Sequence, residues 1–260
     1  MHLISKLISP ATTCLLVALL LQGCVTSKKY RLSKTETEPT ALGWSVASPP
    51  LTLTLQSLIV FKGPGSWKRE ARWDEYVLRL SNDGTQPVTI NAAGLVDLLD
   101  TAQLPGDDPW PLERLSYTNW DKYGKSGLKL VAGAGAVVLY AGVVVTVASE
   151  SILGGAAAGG AVAFLDLVPV VAAVDITAVA IMNHQNKEKV QAEFQRRRLA
   201  LPLTVAPGSS ATGSLFFPMV PGPKRLTLTG KISETPVELT LDLKPLAGLH
   251  LKSAAKNPAP

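Results

Sequence analysis

Cysteine, histidine and charge are all scarce in this chain of 260 residues. It holds two cysteines (Cys14 and Cys24), three histidines (His2, His184 and His250) and only 17% charged residues. Two cysteines exclude a disulfide scaffold and a zinc-finger module. Three scattered histidines leave little material for a metal centre or a His-based catalytic site. Hydrophobic residues make up 47%, and with so little charge this excludes a disordered chain. The length suits one large domain or two small ones.

Catalytic patterns are equally scarce. The sequence has no Gly-x-Ser-x-Gly elbow, phosphate loop, His-Glu-x-x-His helix or dinucleotide fingerprint. Carboxylates pair at Asp97/Asp100 and at Asp107-Asp108, the latter between Pro105 and Pro109. Asp107-Asp108, in its Pro-flanked loop, reads as a pair of turn acids in solvent; loose calcium binding is the alternative, without the alternating oxygen ligands of a calcium loop. No catalytic residue, metal or cofactor is expected. The net charge is +5, but basic and acidic residues nearly cancel over 25–129. The one basic run, Arg196-Arg197-Arg198, has no interleaved aromatics for base stacking, so nucleic acid is not expected as a partner. It reads as a solvated helix end, with contact to lipid phosphates as the alternative.

What the sequence does have starts at the N-terminus. Lys6 precedes the eight-residue apolar run Cys14–Leu21, too short to span a bilayer. Leu21-Gln22-Gly23-Cys24 follows. This resembles the bacterial lipobox, with Gln22 departing from the commonest small residue. The resemblance implies cleavage after residue 23 and acylation at Cys24, the expected lipidation site. Two or more acyl chains anchor stably where one does not. Val25 in place of Asp implies, by the same resemblance, an outer-membrane location facing the periplasm rather than the inner membrane. Residues 24–50 read as a tether rich in Ser, Thr, Lys and Pro.

The body alternates with a period of two, breaks, and alternates again. Leu51, Leu53 and Leu55 form one apolar row, and Tyr76, Leu78 and Leu80 another. Asn82-Asp83-Gly84 supplies a turn, Val88 and Ile90 start a short strand, and Leu95 to Leu99 form a further one. After residue 200 come Leu203/Val205, the stretch 212–217, Leu226/Leu228, and Val237/Leu239/Leu241/Leu243. These segments predict an α+β chain whose antiparallel β-sandwich, residues 51–105 and 200–246, is split by an insertion over 106–199. Residues 247–260 read as a flexible tail. Tyr76–Asn82 with Pro87–Ile90, and Pro207–Pro218 with Leu226–Leu228, resemble the telokin-like immunoglobulin-fold domains of bacterial surface lipoproteins. The resemblance implies an immunoglobulin-like sandwich and a surface location. It carries no catalytic residues.

The insertion holds 20 uncharged residues, 130–149, and after Glu150 another 36, 151–186, interrupted only by Asp166 and Asp175. As a helix the first run would be about 30 Å long, the thickness of the hydrocarbon core. Gly and Ala fill 17 of the 33 positions over 131–163. Gly155 and Gly159 form a Gly-x-x-x-Gly pair, and Gly135 and Gly142 fall seven apart. Such positions let helices approach closely in lipid, so all four glycines are expected helix-packing residues of a hairpin. Three readings stay open: a hairpin in or on the membrane, a hairpin buried on the sandwich, and a flexible Gly/Ala-rich segment. Asp166 and Asp175 lie on opposite sides of a straight helix, which argues against a simple second span. Residues 183–199 read as a surface helix with Val190 and Phe194 on one face and an i, i+4 pair Glu193/Arg197. His184 reads as solvated. Trp110, Tyr117, Trp120 and Tyr123 suit either a lipid interface or a cap on the sandwich.

The expected function is a lipid-anchored envelope protein with a structural or adaptor role. Its partners would be the bilayer and an envelope protein or a second copy of itself. The alternative is a subunit of an oligomeric pore or secretion channel.

Overall fold

The computed structural model describes residues 31–33, 38–68, 70–134 and 172–252, with the backbone alone over 172–183. Nine strands and two α-helices lie among the described residues. In chain order they are β1 (Ala41–Ser48), β2 (Leu51–Ile59), β3 (Asp74–Asn82), β4 (Val88–Val96), β5 (Ala102–Gln103), α1 (Pro109–Lys125), α2 (Ala172–Arg197), β6 (Leu203–Val205), β7 (Ser209–Phe217), β8 (Arg225–Ile232) and β9 (Thr235–Asp242). One sheet has the order β1-β2-β3-β7. The other runs β5-β4-β8-β9, with β6 also paired to β4. All pairings between these strands are antiparallel. The helical stretch therefore falls between two halves of chain that complete each other's sheets.

The alternating residues meet between the sheets. Leu53, Leu55, Tyr76, Leu78 and Leu80 of one sheet face Val88, Ile90, Leu95, Leu226 and Leu228 of the other in one buried core. Alternation places every second side chain on the same face, so these rows bury together. A second cluster lies on the outward face of the first sheet. Trp67, Trp73, Phe194 and Phe216 pack there with Ala71, Leu112 and Val190, beneath both helices. Phe194 stacks on Phe216 with ring centroids 4.0 Å apart, and Trp73 meets both rings edge-on.

Several boundaries differ from the sequence reading. Residues 41–48 of the expected tether form β1, whose Leu42, Trp44 and Val46 pack half-buried against the core. It is an edge strand, so its apolar rows are only partly covered. The two strands expected at Val88/Ile90 and Leu95–Leu99 are one, β4. A register shift against β8 between Ile90 and Ala92 reverses the facing of its residues, which hides the period of two. Gly230 lies at that crossing, where a Cβ would come 2.2 Å from the Thr89 carbonyl oxygen. The helix expected from residue 130 does not begin there. Leu130 bridges Leu251, and the Val131 amide donates to the His250 carbonyl at 3.0 Å. The same contacts hold the start of the expected flexible tail, where Leu249 and His250 are buried.

Helix α1 has no clear apolar period, because its inward row mixes Leu112 and Tyr123 with Ser116 and Asn119. Asp108 caps it, accepting from the Trp110 amide at 2.8 Å, and Pro109 opens its first turn. The surface helix expected over 183–199 is the end of α2, with Val190 and Phe194 buried as the spacing predicts. Among the described residues no helix is long and apolar enough to cross a membrane.

Candidate functional site

The two ends of the sandwich are unequal. At one end the strands join through tight connections around residues 49–50, 83–87, 206–208 and 233–234. Asn82 fixes two of these turns together. Its Nδ2 donates to the Gln86 and Val205 carbonyls, and its Oδ1 accepts from the Gly84 amide. At the other end β2, β4, β7 and β9 finish and β3 and β8 begin, so the long connections collect there. Those connections include 60–73, 97–134 and 243–252.

Three segments distant in sequence dock at this loop-bearing end. Leu32 bridges Lys68, and the Ser33 amide donates to the Trp67 carbonyl at 2.7 Å. Residues 129–131 pair with 250–252: the Lys252 amide donates to the Lys129 carbonyl at 2.8 Å. Gly133 (φ 104°) lies against the Phe61 carbonyl, where a Cβ would approach to 3.1 Å. Ala134, the last described residue before 135–171, packs on the main core. The chain following Cys24 and the chain entering the Gly/Ala-rich segment thus reach the same end of the domain.

Buried polar groups hold this end together. The Asp74 carboxylate meets His250 Nε2 at 2.7 Å, with both residues almost wholly buried. That contact ties the strap 250–252 to the first residue of β3. Glu75 points to the opposite face. Trp67 Nε1 donates to its Oε2 at 2.5 Å and Ser214 Oγ to its Oε1 at 2.7 Å, while Arg197 Nη1 lies 3.7 Å away. Lys68 stands over the Trp73 ring with Nζ 3.7 Å from the centroid. Burial pulls its amine down to about 8, against the attraction of Asp74, Glu75 and Glu113, which raises it. Glu113 of α1 accepts from the Arg72 amide at 2.8 Å. Arg72 also lies 4.8 Å from the Tyr117 ring and 5.3 Å from the Trp120 ring. Tyr123 is buried and donates to Asp97, and burial raises its hydroxyl well above the usual range. Asp97 also accepts from the amides of Leu99 and Thr101. Of the α1 aromatics, Tyr123 is buried, and Trp110, Tyr117 and Trp120 are half-buried.

The singled-out residues are placed as follows. The expected lipidation site Cys24 and the expected packing glycines Gly135, Gly142, Gly155 and Gly159 lie outside the described residues. Asp107 and Asp108 serve the start of α1, and the Asp107 carbonyl accepts from Gln195 of α2. Asp97 is buried. Asp100 is exposed and bonded by Lys224 at 2.8 Å, which lowers its carboxyl below the usual range. His184 is exposed beside Glu188 at 3.3 Å. Arg197 is not simply solvated. It lies half-buried between Glu193 (2.6 Å), Glu75 and the Trp67 ring. The hydrogen bond from Arg196, then that from Arg197, holds the Glu193 carboxyl low.

Sequence reasoning missed Lys68, Asp74, Glu75, Ser214 and the role of His250. Their only signal was two adjacent acids, Asp74-Glu75, at the start of an apolar strand. Their partners lie up to 176 positions away. Among the described residues no group of three or more His, Cys, Asp or Glu is arranged to hold a metal ion. No family model, no curated protein and no solved structure matches this chain.

Proposed function

We propose that the protein is a lipid-anchored bacterial envelope protein with a structural or adaptor role. Acyl chains on Cys24 tether the sandwich, and the Gly/Ala-rich segment 135–171 adds bilayer contact or self-association through Gly135, Gly142, Gly155 and Gly159. The sandwich then presents its other surfaces to an envelope partner. The outer membrane, facing the periplasm, is the location this reading favours.

One observation carries it: residues 31–33, which follow Cys24 in the chain, and residues 129–134, which precede the Gly/Ala-rich segment, dock at the same loop-bearing end. Leu32 lies eight positions after Cys24, a reach of at most about 29 Å when fully extended. Ala134 leads into the apolar segment from the same end. A single leaflet can therefore serve both, with the tight turns directed away from it. The buried carboxylates at this end are bonded to Trp67, Ser214, Arg197, His250 and Tyr123, as a structural joint requires.

The immunoglobulin-like identity of the sandwich belongs to the same proposal. Pairing of β3 with β7, and of β4 with β8 and β8 with β9, follows the B–E and C–F–G pairings of that plan. The short β6, paired to β4, and the helical insertion depart from it.

Fatty-acid labelling of cells expressing the full chain, with fractionation of the Cys24→Ser variant, tests the anchor. The expected result is palmitate on the native chain and none on the variant. An unlabelled native chain overturns the proposal. The mass of the detergent-extracted protein tests the role: a monomer or dimer supports the adaptor, and a large discrete ring supports a pore subunit instead.

A further inference from the structure

The loop-bearing end carries three exposed lysines on the segments that meet there: Lys62, Lys129 and Lys252. Their backbones are brought close by contacts already described. Lys129 and Lys252 are hydrogen-bonded neighbours at 2.8 Å, and Gly133 lies against the carbonyl of Phe61, the residue before Lys62. Lys62 has a left-handed backbone (φ 54°), which a non-glycine side chain adopts at a cost of conformational strain. Lys122 and Lys125, exposed in the last turn of α1, lead into the same patch. Exposed carboxylates on the segments at this end are Glu38, Glu70, Asp100, Asp107 and Asp121, with Asp242 where β9 finishes; Asp100 and Asp242 are already paired with Lys224 and Lys244. Among the described residues the lysine ion pairs run from Lys224, Lys231 and Lys244, not from Lys62, Lys129 or Lys252.

We infer that this lysine patch is a docking surface for anionic lipid headgroups, which sets the sandwich upright on the membrane. The inference deepens the anchor reading and rests on it for orientation. A leaflet held within a short tether of Leu32 lies opposite this end, and its negative potential is complementary to the patch. Each lysine near such a surface raises partitioning roughly fivefold. The attraction fades within a Debye length, about 10 Å in 0.1 M salt, so only charges at this end take part.

The test uses the full chain carrying Cys24→Ser, so that acyl chains contribute nothing, and co-sedimentation with vesicles. Vesicles of phosphatidylcholine alone are compared with vesicles holding about 30% phosphatidylglycerol. Any contribution from the apolar segment is common to both. The expected result is at least roughly tenfold stronger binding to the anionic vesicles, lost in high salt. The triple variant Lys62→Glu, Lys129→Glu, Lys252→Glu should bind both vesicles alike. Lys231→Glu, at the tight-turn end, should bind as the parent does. All these side chains reach solvent, and circular dichroism checks that each variant folds. Equal binding of the parent to both vesicles, or an anionic preference that survives the triple substitution, overturns the inference. Anionic preference without palmitate on the native chain would keep this surface and remove the anchor.

Discussion

The core between the sheets and the cluster beneath the helices are built from different chemistry. In the first, leucines dominate, and the rows come from strands whose alternation is visible along the chain. In the second, four aromatic rings pack together, one of them, Trp67, bonded to Glu75 and another, Trp73, beneath the Lys68 amine, and Arg197 lies beside the Trp67 ring. Leucine rows gain stability in proportion to buried area and tolerate small shifts. A buried carboxylate with three named partners gains less net stability but accepts one geometry. The first cluster holds the sandwich; the second fixes where α2 and the loop 60–73 sit on it.

The sharpest test of this contrast is Leu78→Ala. It should cost about 4 kcal/mol by leaving a cavity in the main core, read as a drop in the denaturation midpoint of all signals together. Loss confined to the helical signal would mean that the leucine core does not hold the sandwich.

Next in size is an alkaline effect from the second cluster. Holding the Lys68 amine at about 8 instead of 10.5 corresponds to roughly 3 kcal/mol. Between those values the unfolded chain still carries the proton and the folded chain has lost it, so stability rises with pH. Above pH 10 the sign reverses. Burial raises the hydroxyls of both Tyr76 and Tyr123, so the unfolded chain ionises first. Urea denaturation across this range should show greatest stability near pH 10. In Lys68→Met the rise from pH 8 should disappear; its persistence would remove Lys68 as the cause.

Glu75→Gln keeps the shape and removes the charge. It should cost about 2 kcal/mol and speed amide exchange in α2 and at Trp67 more than in β8 and β9. Uniform acceleration would mean that the second cluster is part of one cooperative core. The smallest effect belongs to the exposed pair Lys224–Asp100. Asp100→Asn should leave the denaturation midpoint unchanged at neutral pH, since exposed pairs contribute little.

The strands were legible where alternation was uninterrupted, as in Leu51–Leu55, Tyr76–Leu80 and Val237–Leu243. They were obscured where a bulge reverses facing, as at Ile90–Ala92, and where an edge strand is half-covered, as in β1. The end of α2 was readable from Val190 and Phe194 because four residues make about one turn. Helix α1 was not, because Ser116 and Asn119 are buried on its inward row. There Ser116 Oγ accepts from the Met219 amide at 3.0 Å.

Local order determined the rows of leucines, the turn at Asn82-Asp83-Gly84 and the lipobox-like Leu21–Cys24, because each depends only on neighbours a few positions apart. Tertiary structure alone decided that Asp74 meets His250, that Glu75 meets Ser214 and Arg197, and that residues 31–33 and 129–134 share one end. Those contacts form only after the sheets close, and nothing in a residue's immediate neighbours specifies a partner more than a hundred positions away.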